Sequence, residues 1–148
     1  MIAREAMTIS PAVVTTDDSI ERAAELMRDW DTGLIPVVAN LSTMELVGVI
    51  TDRDIVTRCI AAHHLGGCDV TMHMTTHKLA TVYPETPLQA CALRMEQAQV
   101  RRLPVVDVDG RLVGVVSVAD IARKLATSDP VTVATLIEEI SQPVAVHV

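Results

Sequence analysis

Two short patterns hold the residue types best suited to chemistry: Gly48-x-x-Thr51-x-x-Asp54 and Gly114-x-x-Ser117-x-x-Asp120. Each Thr or Ser follows an apolar run and precedes a helix-like one. It therefore falls where a strand ends and a helix begins, with the Asp in that helix's first turn. A helix N-terminus offers unpaired N–H groups and the positive end of a dipole, which suits a phosphate. The hydroxyl adds a donor, and an ionised Asp offers two acceptor oxygens, an arrangement able to hold both hydroxyls of a ribose. Gly48 and Gly114 leave room for a ligand to approach the backbone closely. The same spacing is also an ordinary capping box, the plainer reading of either copy alone. Both copies carry Asp where Glu or Gln would serve a cap, which leans the pair towards a binding site.

The elements around these patterns repeat. Aligned at an offset of 68, residues 12–38 share 7 of 27 positions with the later segment; at an offset of 66, residues 46–58 share 6 of 13. The slip of two falls between Val38 and Leu46, where a loop absorbs it, so the chain is a tandem duplication. Each copy opens with a short apolar segment (12–15 and 80–83). Helix starts follow at Asp18-Ser19-Ile20-Glu21 and Thr86-Pro87-Leu88-Gln89, each with a capping residue and Glu or Gln at N3, and with Pro87 at N1. Ile20, Ala23, Ala24 and Met27 form one apolar stripe; Leu88, Cys91, Ala92 and Met95 form the other. Paired apolar runs come next, 34–38 with 46–50 and 103–106 with 112–116, the second pair joined through the hairpin signal Asp109-Gly110. A second helix over about 52–62 and Val118–Leu125 completes β-α-β-β-α, twice. The fold class is α/β (α+β), with repeats over 7–66 and 67–126 and a C-terminal helix and tail over 127–148.

Composition removes other classes. The 148 residues carry a net charge of −7, one Trp and one Tyr. Neither a phosphate-neutralising nucleic-acid track nor an aromatic stacking platform is present. No apolar run approaches the ~18 residues of a membrane helix, and no signal-peptide h-region follows the N-terminus. A cytoplasmic protein is expected. Three cysteines suggest no disulfide framework. No paired carboxylates, activated nucleophile or Gly-rich phosphate loop points to catalysis, so an enzyme is not expected.

The duplicated β-α-β-β-α unit, the Ile35-Pro36-Val37 and Leu103-Pro104-Val105 strands and the two Gly-x-x-[Thr/Ser]-x-x-Asp endings together resemble the cystathionine-β-synthase (CBS) domain pair, or Bateman module, of small stand-alone bacterial type. The resemblance covers about residues 7–125. It implies two repeats packed as a pseudo-twofold pair through their sheets, and a regulatory module whose clefts take adenine-containing ligands: AMP, ADP, ATP, NAD or S-adenosylmethionine. By resemblance, Asp54 and Asp120 hold ribose, Thr51 and Ser117 lie near phosphate, and Arg102 contacts phosphate with Arg101 beside it. Repeat 1 departs from that pattern with Gly33-Leu34, leaving Arg53 as its nearby cation. The second cleft is therefore expected to prefer a phosphorylated ligand, and the first to bind differently or stay empty. The base would lie against Val14, Thr15, Ile35, Pro36, Val82, Tyr83, Leu103 and Pro104. No cofactor is implied beyond this regulatory ligand. A homodimer and an effector protein are the implied partners, with Ile55, Cys59 and Ala62, and Ile121 and Leu125, as a candidate interface.

Two alternatives stand beside the nucleotide sensor. One is a scaffold of the same fold with empty clefts. The other is a metal or redox sensor built on Cys59-x3-His63, which share a helix face, with Cys68 and His73 beyond and His64 and His77 nearby. Thiolate and imidazole suit zinc, yet the spacing matches no finger or ribbon, and free cysteines are commonly small buried hydrophobes. In the tail, Val133, Leu136, Ile137 and Ile140 are spaced as a packing helix, and residues 143–146 read as an extended edge cover.

Overall fold

The structure, a computed structural model, describes residues 1–64 and 66–143. In chain order its elements are α1 (Ala3–Ala6), β1 (Thr8–Ile9), β2 (Val14–Thr15), α2 (Ile20–Asp29), β3 (Leu34–Val38), β4 (Leu46–Thr51), α3 (Asp52–Asp54), a π-helical stretch (Ile55–Ile60), a 3-10 turn (Val70–Met72), α4 (Leu88–Ala98), β5 (Arg102–Val106), β6 (Leu112–Ser117), α5 (Val118–Leu125) and α6 (Pro130–Ile140). They fall into two units. One comprises Ser10–Leu79 with Val106–Leu112; the other comprises Met1–Ile9, Ala80–Val105 and the chain from Val113 on.

In the first unit β2 runs parallel to β3, and β3 antiparallel to β4 with Val37 opposite Gly48. Val14, Ile35, Val37 and Ile50 on these strands bury themselves against Ile20, Ala23 and Leu26 of α2 and Ile55, Cys59, Cys68 and Val70. In the second unit the sheet order is β1-β6-β5. Leu103, Val105 and Val116 pack on Leu88, Cys91, Ala92 and Met95 of α4, Ile121 and Leu125 of α5 and Leu136 of α6. The predicted packing helix in the tail is thus α6, capped by the Asp129 side chain on Thr132 N. Of the expected edge cover at 143–146, residues 144–146 lie outside the described residues. The loops between the paired strands hold seven residues (39–45) and five (107–111), the two-residue slip between repeats. Gly110, at φ +80°, turns the shorter one.

Several local expectations change. The cap of α2 is Ser19, accepting from Arg22 N, while Asp18 turns back to accept from Thr15 N. One residue of register moves Ala24 to the exposed face and brings Leu26 into the core. Pro87 is the N-cap of α4 rather than N1, and the Thr86 hydroxyl accepts from Tyr83 N instead of capping the helix. Segment 80–83 forms only a single bridge, Val82 to Val105. The second helix of repeat 1 is α-helical for Asp52–Asp54 alone and then widens to π geometry, with Ala61 N bonding to Val56 O. Its β-branched run Ile55-Val56-Thr57 is poor α-helix material. In addition, the Thr57 hydroxyl takes the Arg53 carbonyl that an α-helix would give to a backbone N–H. The matching stretch of α5, Ile121-Ala122-Arg123, has one β-branched residue and no hydroxyl, and stays α-helical.

The N-terminal segment has an unforeseen place: β1 pairs antiparallel with β6, Thr8 opposite Val115. Its counterpart is Thr75, which bridges Val49 of β4. Met7-Thr8 and Met74-Thr75 each follow a short helical turn, and each closes the open edge of a Gly-bearing strand.

Candidate functional site

Both Gly-x-x-[Thr/Ser]-x-x-Asp patterns fold as complete capping boxes at strand-to-helix junctions. At the first, Asp54 N donates to Thr51 Oγ1 at 3.0 Å and Thr51 N donates to Asp54 Oδ2 at 3.0 Å. At the second, Asp120 N donates to Ser117 Oγ at 3.2 Å, while Ser117 N and Oγ donate to Asp120 Oδ2 at 2.8 and 2.7 Å. The atoms expected to bind a ligand are therefore already engaged in capping. The outer carboxylate oxygens face guanidinium groups from their own helices. Arg58 Nε lies 3.7 Å from Asp54 Oδ1, and Arg123 Nη2 lies 2.5 Å from Asp120 Oδ1. Asp54, 8% exposed, also accepts from the Thr75 hydroxyl at 3.3 Å.

The helix N-termini are less open than the sequence implied. Asp52 N donates to Gly33 O, and Val118 N to Arg101 O, each at 3.0 Å. Arg53 N is taken by the Asp52 carboxylate at 2.8 Å. With Asp54 N and Asp120 N held in their boxes, the Ala119 N–H is the first-turn donor that the described contacts leave available. The glycines also serve another purpose. A Cβ on Gly48 would sit 2.9 Å from Thr75 O, and one on Gly114 would sit 2.9 Å from Thr8 O. The close approach they permit is that of the protein's own Met-Thr segments, which corrects the expectation of a ligand there.

The second junction gathers Arg101, Arg102, Ser117 and Asp120: Arg102 begins β5 half-buried, and the exposed Arg101 gives its carbonyl to the start of α5. At the first junction Arg53 is exposed beside the buried Asp54. Among the expected wall residues, Val14, Ile35 and Leu103 are wholly buried in their cores, and Pro36, Val82 and Pro104 are buried as well. Thr15 is half-buried with its N–H on Asp18, and Tyr83 is exposed. The expected interface stripe is corrected: Ile55, Cys59, Ile121 and Leu125 face their own cores, because these helices use that stripe to cover their sheets. Sequence reading missed Thr75, Arg58 and Arg123. The Met7-Thr8 and Met74-Thr75 pair, 67 residues apart, was a visible signal for the first of these.

A second cluster lies in the first unit. The ligand atoms of Cys59, Cys68 and His73, all buried, lie within 4.8 Å of one another, and His64 Nδ1 is 3.4 Å from His73 Nε2. His63, expected as a member, is not among them, and His64 lies against His73 instead. In a π-turn residues five apart stack, and His64 N bonds to Cys59 O. Burial, and then the adjacent Cys68 thiol, push the Cys59 thiol above its ordinary value. Cys91 behaves as a plain buried hydrophobe, its thiol pushed up to about 11 by burial.

The CBS domain family matches residues 3–60 and 69–127. The CBS domain-containing protein YhcV of Bacillus subtilis is 38% identical over 119 residues, covering 80% of this chain and 81% of that one. The crystal structure of hypoxic response protein I, with two coordinated zinc ions, has TM-score 0.73 and 32% identity over 83% of this chain and 98% of that one; the curated protein is from Mycobacterium tuberculosis. The crystal structure of CBSX2 in complex with AMP has TM-score 0.73 and 27% identity over 84% and 96%. The chain also spans 22% of the length of the inosine-5'-monophosphate dehydrogenase of Streptococcus pyogenes, at 31% identity. Among the described residues no helix is long and apolar enough to cross a membrane. Two matched segments, two three-stranded sheets and the duplicated strand-to-helix junctions agree: the chain belongs to the CBS domain family and carries a tandem CBS pair.

Proposed function

We propose that this chain is a regulatory module that binds an adenosyl ligand at the Ser117–Asp120 junction. The observation that carries the reading is the bond from Val118 N to Arg101 O, which sets the Arg101-Arg102 backbone at the start of β5 beside the Ser117–Asp120 box. Asp120 Oδ1 is held only by the solvent-exposed Arg123 among its described contacts. An exposed pair of that kind is worth about 0–1 kcal/mol, so ribose hydroxyls can replace it at small cost. Release of Arg123 leaves a further cation on the helix that the Ser117–Asp120 box begins. At Asp54 the same exchange must also displace the Thr75 hydroxyl, which favours the second junction for a phosphorylated ligand. AMP in the CBSX2 complex supports the ligand class. Signalling to a partner then follows from different ligand affinities for two shapes of the module.

The test is a thermal-shift panel of AMP, ADP, ATP, NAD and S-adenosylmethionine on wild type, Asp54→Asn, Asp120→Asn and Arg102→Ala. Asn retains an acceptor for the box while removing the charge. A ligand at 100 times its Kd adds about 2.7 kcal/mol of apparent stability. The expected result is a shift with one nucleotide, lost in Asp120→Asn and reduced in Arg102→Ala. A flat panel at millimolar ligand overturns the proposal in favour of a ligand-free scaffold, the reading that the self-closed capping boxes favour.

A further inference from the structure

We propose that Cys59, His64, Cys68 and His73 form a closed tetrahedral site for Zn2+ or a similar borderline-soft divalent cation. Among the described residues, Cys59, Cys68 and His73 are the one group of three or more His, Cys, Asp or Glu whose ligand atoms lie within 4.8 Å of one another. They are 4%, 6% and 5% exposed, which is unusual for a histidine held only by packing. His64 comes from the exposed side and points Nδ1 at His73 Nε2, 3.4 Å away with the rings tilted by 39°. That separation is long for a hydrogen bond. It equals the edge of about 3.3–3.4 Å between two imidazole nitrogens on a tetrahedral Zn2+ with bonds near 2.0–2.1 Å. The sulfur edges of such a site are about 3.5–3.8 Å, so Cys59, Cys68 and His73 draw in by about 1 Å through side-chain rotation, and the exposed His64 ring swings in as the fourth ligand.

The backbone supports the same set. The π-turn stacks Cys59 and His64 five residues apart, with the Cys59 thiol donating to the His64 carbonyl at 3.0 Å. The 3-10 turn Val70–Met72 then brings His73 back to them. Two thiolates and two neutral imidazoles balance the dication, leaving no net buried charge; the two thiol protons go to solvent as the metal binds. Four protein ligands leave no open position, so the site is structural rather than catalytic. It ties the π-helical stretch to the segment that delivers Thr75 to Asp54, and Arg58 Nη1 already bonds the His73 carbonyl at 3.4 Å across that joint. The inference is independent of the nucleotide reading.

The test uses the 148-residue chain freed of metal, with all three thiols reduced and counted, titrated with Co2+ and then Zn2+. The expected result is one Co2+ per chain with tetrahedral d–d and thiolate charge-transfer absorption, displaced stoichiometrically by Zn2+. Cys59→Ser and Cys68→Ser each weaken binding and cut the charge-transfer intensity per bound Co2+ to about half, the double variant loses the band, and Cys91→Ser leaves it intact. His64→Ala removes an exposed imidazole without disturbing the core, and weakens binding by at least about tenfold, the loss typical even of groups one shell further out. The proposal is overturned by absence of stoichiometric uptake, by unchanged affinity and charge-transfer intensity in Cys59→Ser and Cys68→Ser, or by unchanged affinity in His64→Ala.

Discussion

Replacing Gly48 by Ala tests how the Met-Thr segment closes the first sheet. The added Cβ would lie 2.9 Å from the Thr75 carbonyl oxygen and 3.0 Å from Met74 Sδ, where ordinary contact begins at 3.4 Å. The thioether can swing aside. The carbonyl cannot, because it accepts from Val49 N at 3.0 Å while Thr75 N donates to Val49 O at 2.8 Å. It must retreat by about 0.5 Å, and overpacking of this kind costs about 1–3 kcal/mol. Each backbone bond it stretches contributes about 1 kcal/mol net. A loss of about 2 kcal/mol is expected, lowering Tm by about 4–8 °C for a chain of this size. Equilibrium urea unfolding measures it, with Gly114→Ala expected to match because its Cβ meets Thr8 O at 2.9 Å. Ser42→Ala, on an exposed loop, serves as the control. A Gly48→Ala loss below about 0.5 kcal/mol, the usual range of surface changes, would refute the steric argument.

Asp54→Ala and Asp120→Ala each open a capping box and should cost about 1 kcal/mol in urea unfolding, whereas the Asn variants should cost less. Leu136→Ala should cost about 2–5 kcal/mol, because α6 buries that side chain completely against α4 and α5; denaturation midpoints measure it. The Cys91 thiol, raised from 9.0 to about 11, holds its proton in the folded chain after the unfolded chain has lost it. The folded state therefore binds more protons above pH 9, and stability should fall as pH rises from about 9 towards 11. Comparison with Cys91→Ala isolates the Cys91 share of that slope, which the variant loses, leaving the share of the Cys59 thiol.

The sequence alone determined the duplicated unit. Apolar periodicity, the Asp109-Gly110 turn and the identities at two offsets are local signals, and they sufficed for β3 to β6, α2, α4, α5 and the packing helix α6. They also located Thr51, Asp54, Ser117 and Asp120 at strand-to-helix junctions, since a hydroxyl ahead of an acidic residue at N3 is a short-range pattern. Tertiary structure decided what those atoms face. Whether Gly48 and Gly114 admit a ligand or the chain itself depended on where Met74-Thr75 and Met7-Thr8 pair, and a two-residue strand has too few residues to announce its partner. The choice of His64 over His63 turned on one extra residue in a π-turn. That geometry arises when Thr57 takes a backbone acceptor and the apolar face must still reach its core. Local propensity fixes the period of a segment; only packing fixes its register, and the chemistry of both clusters depends on register.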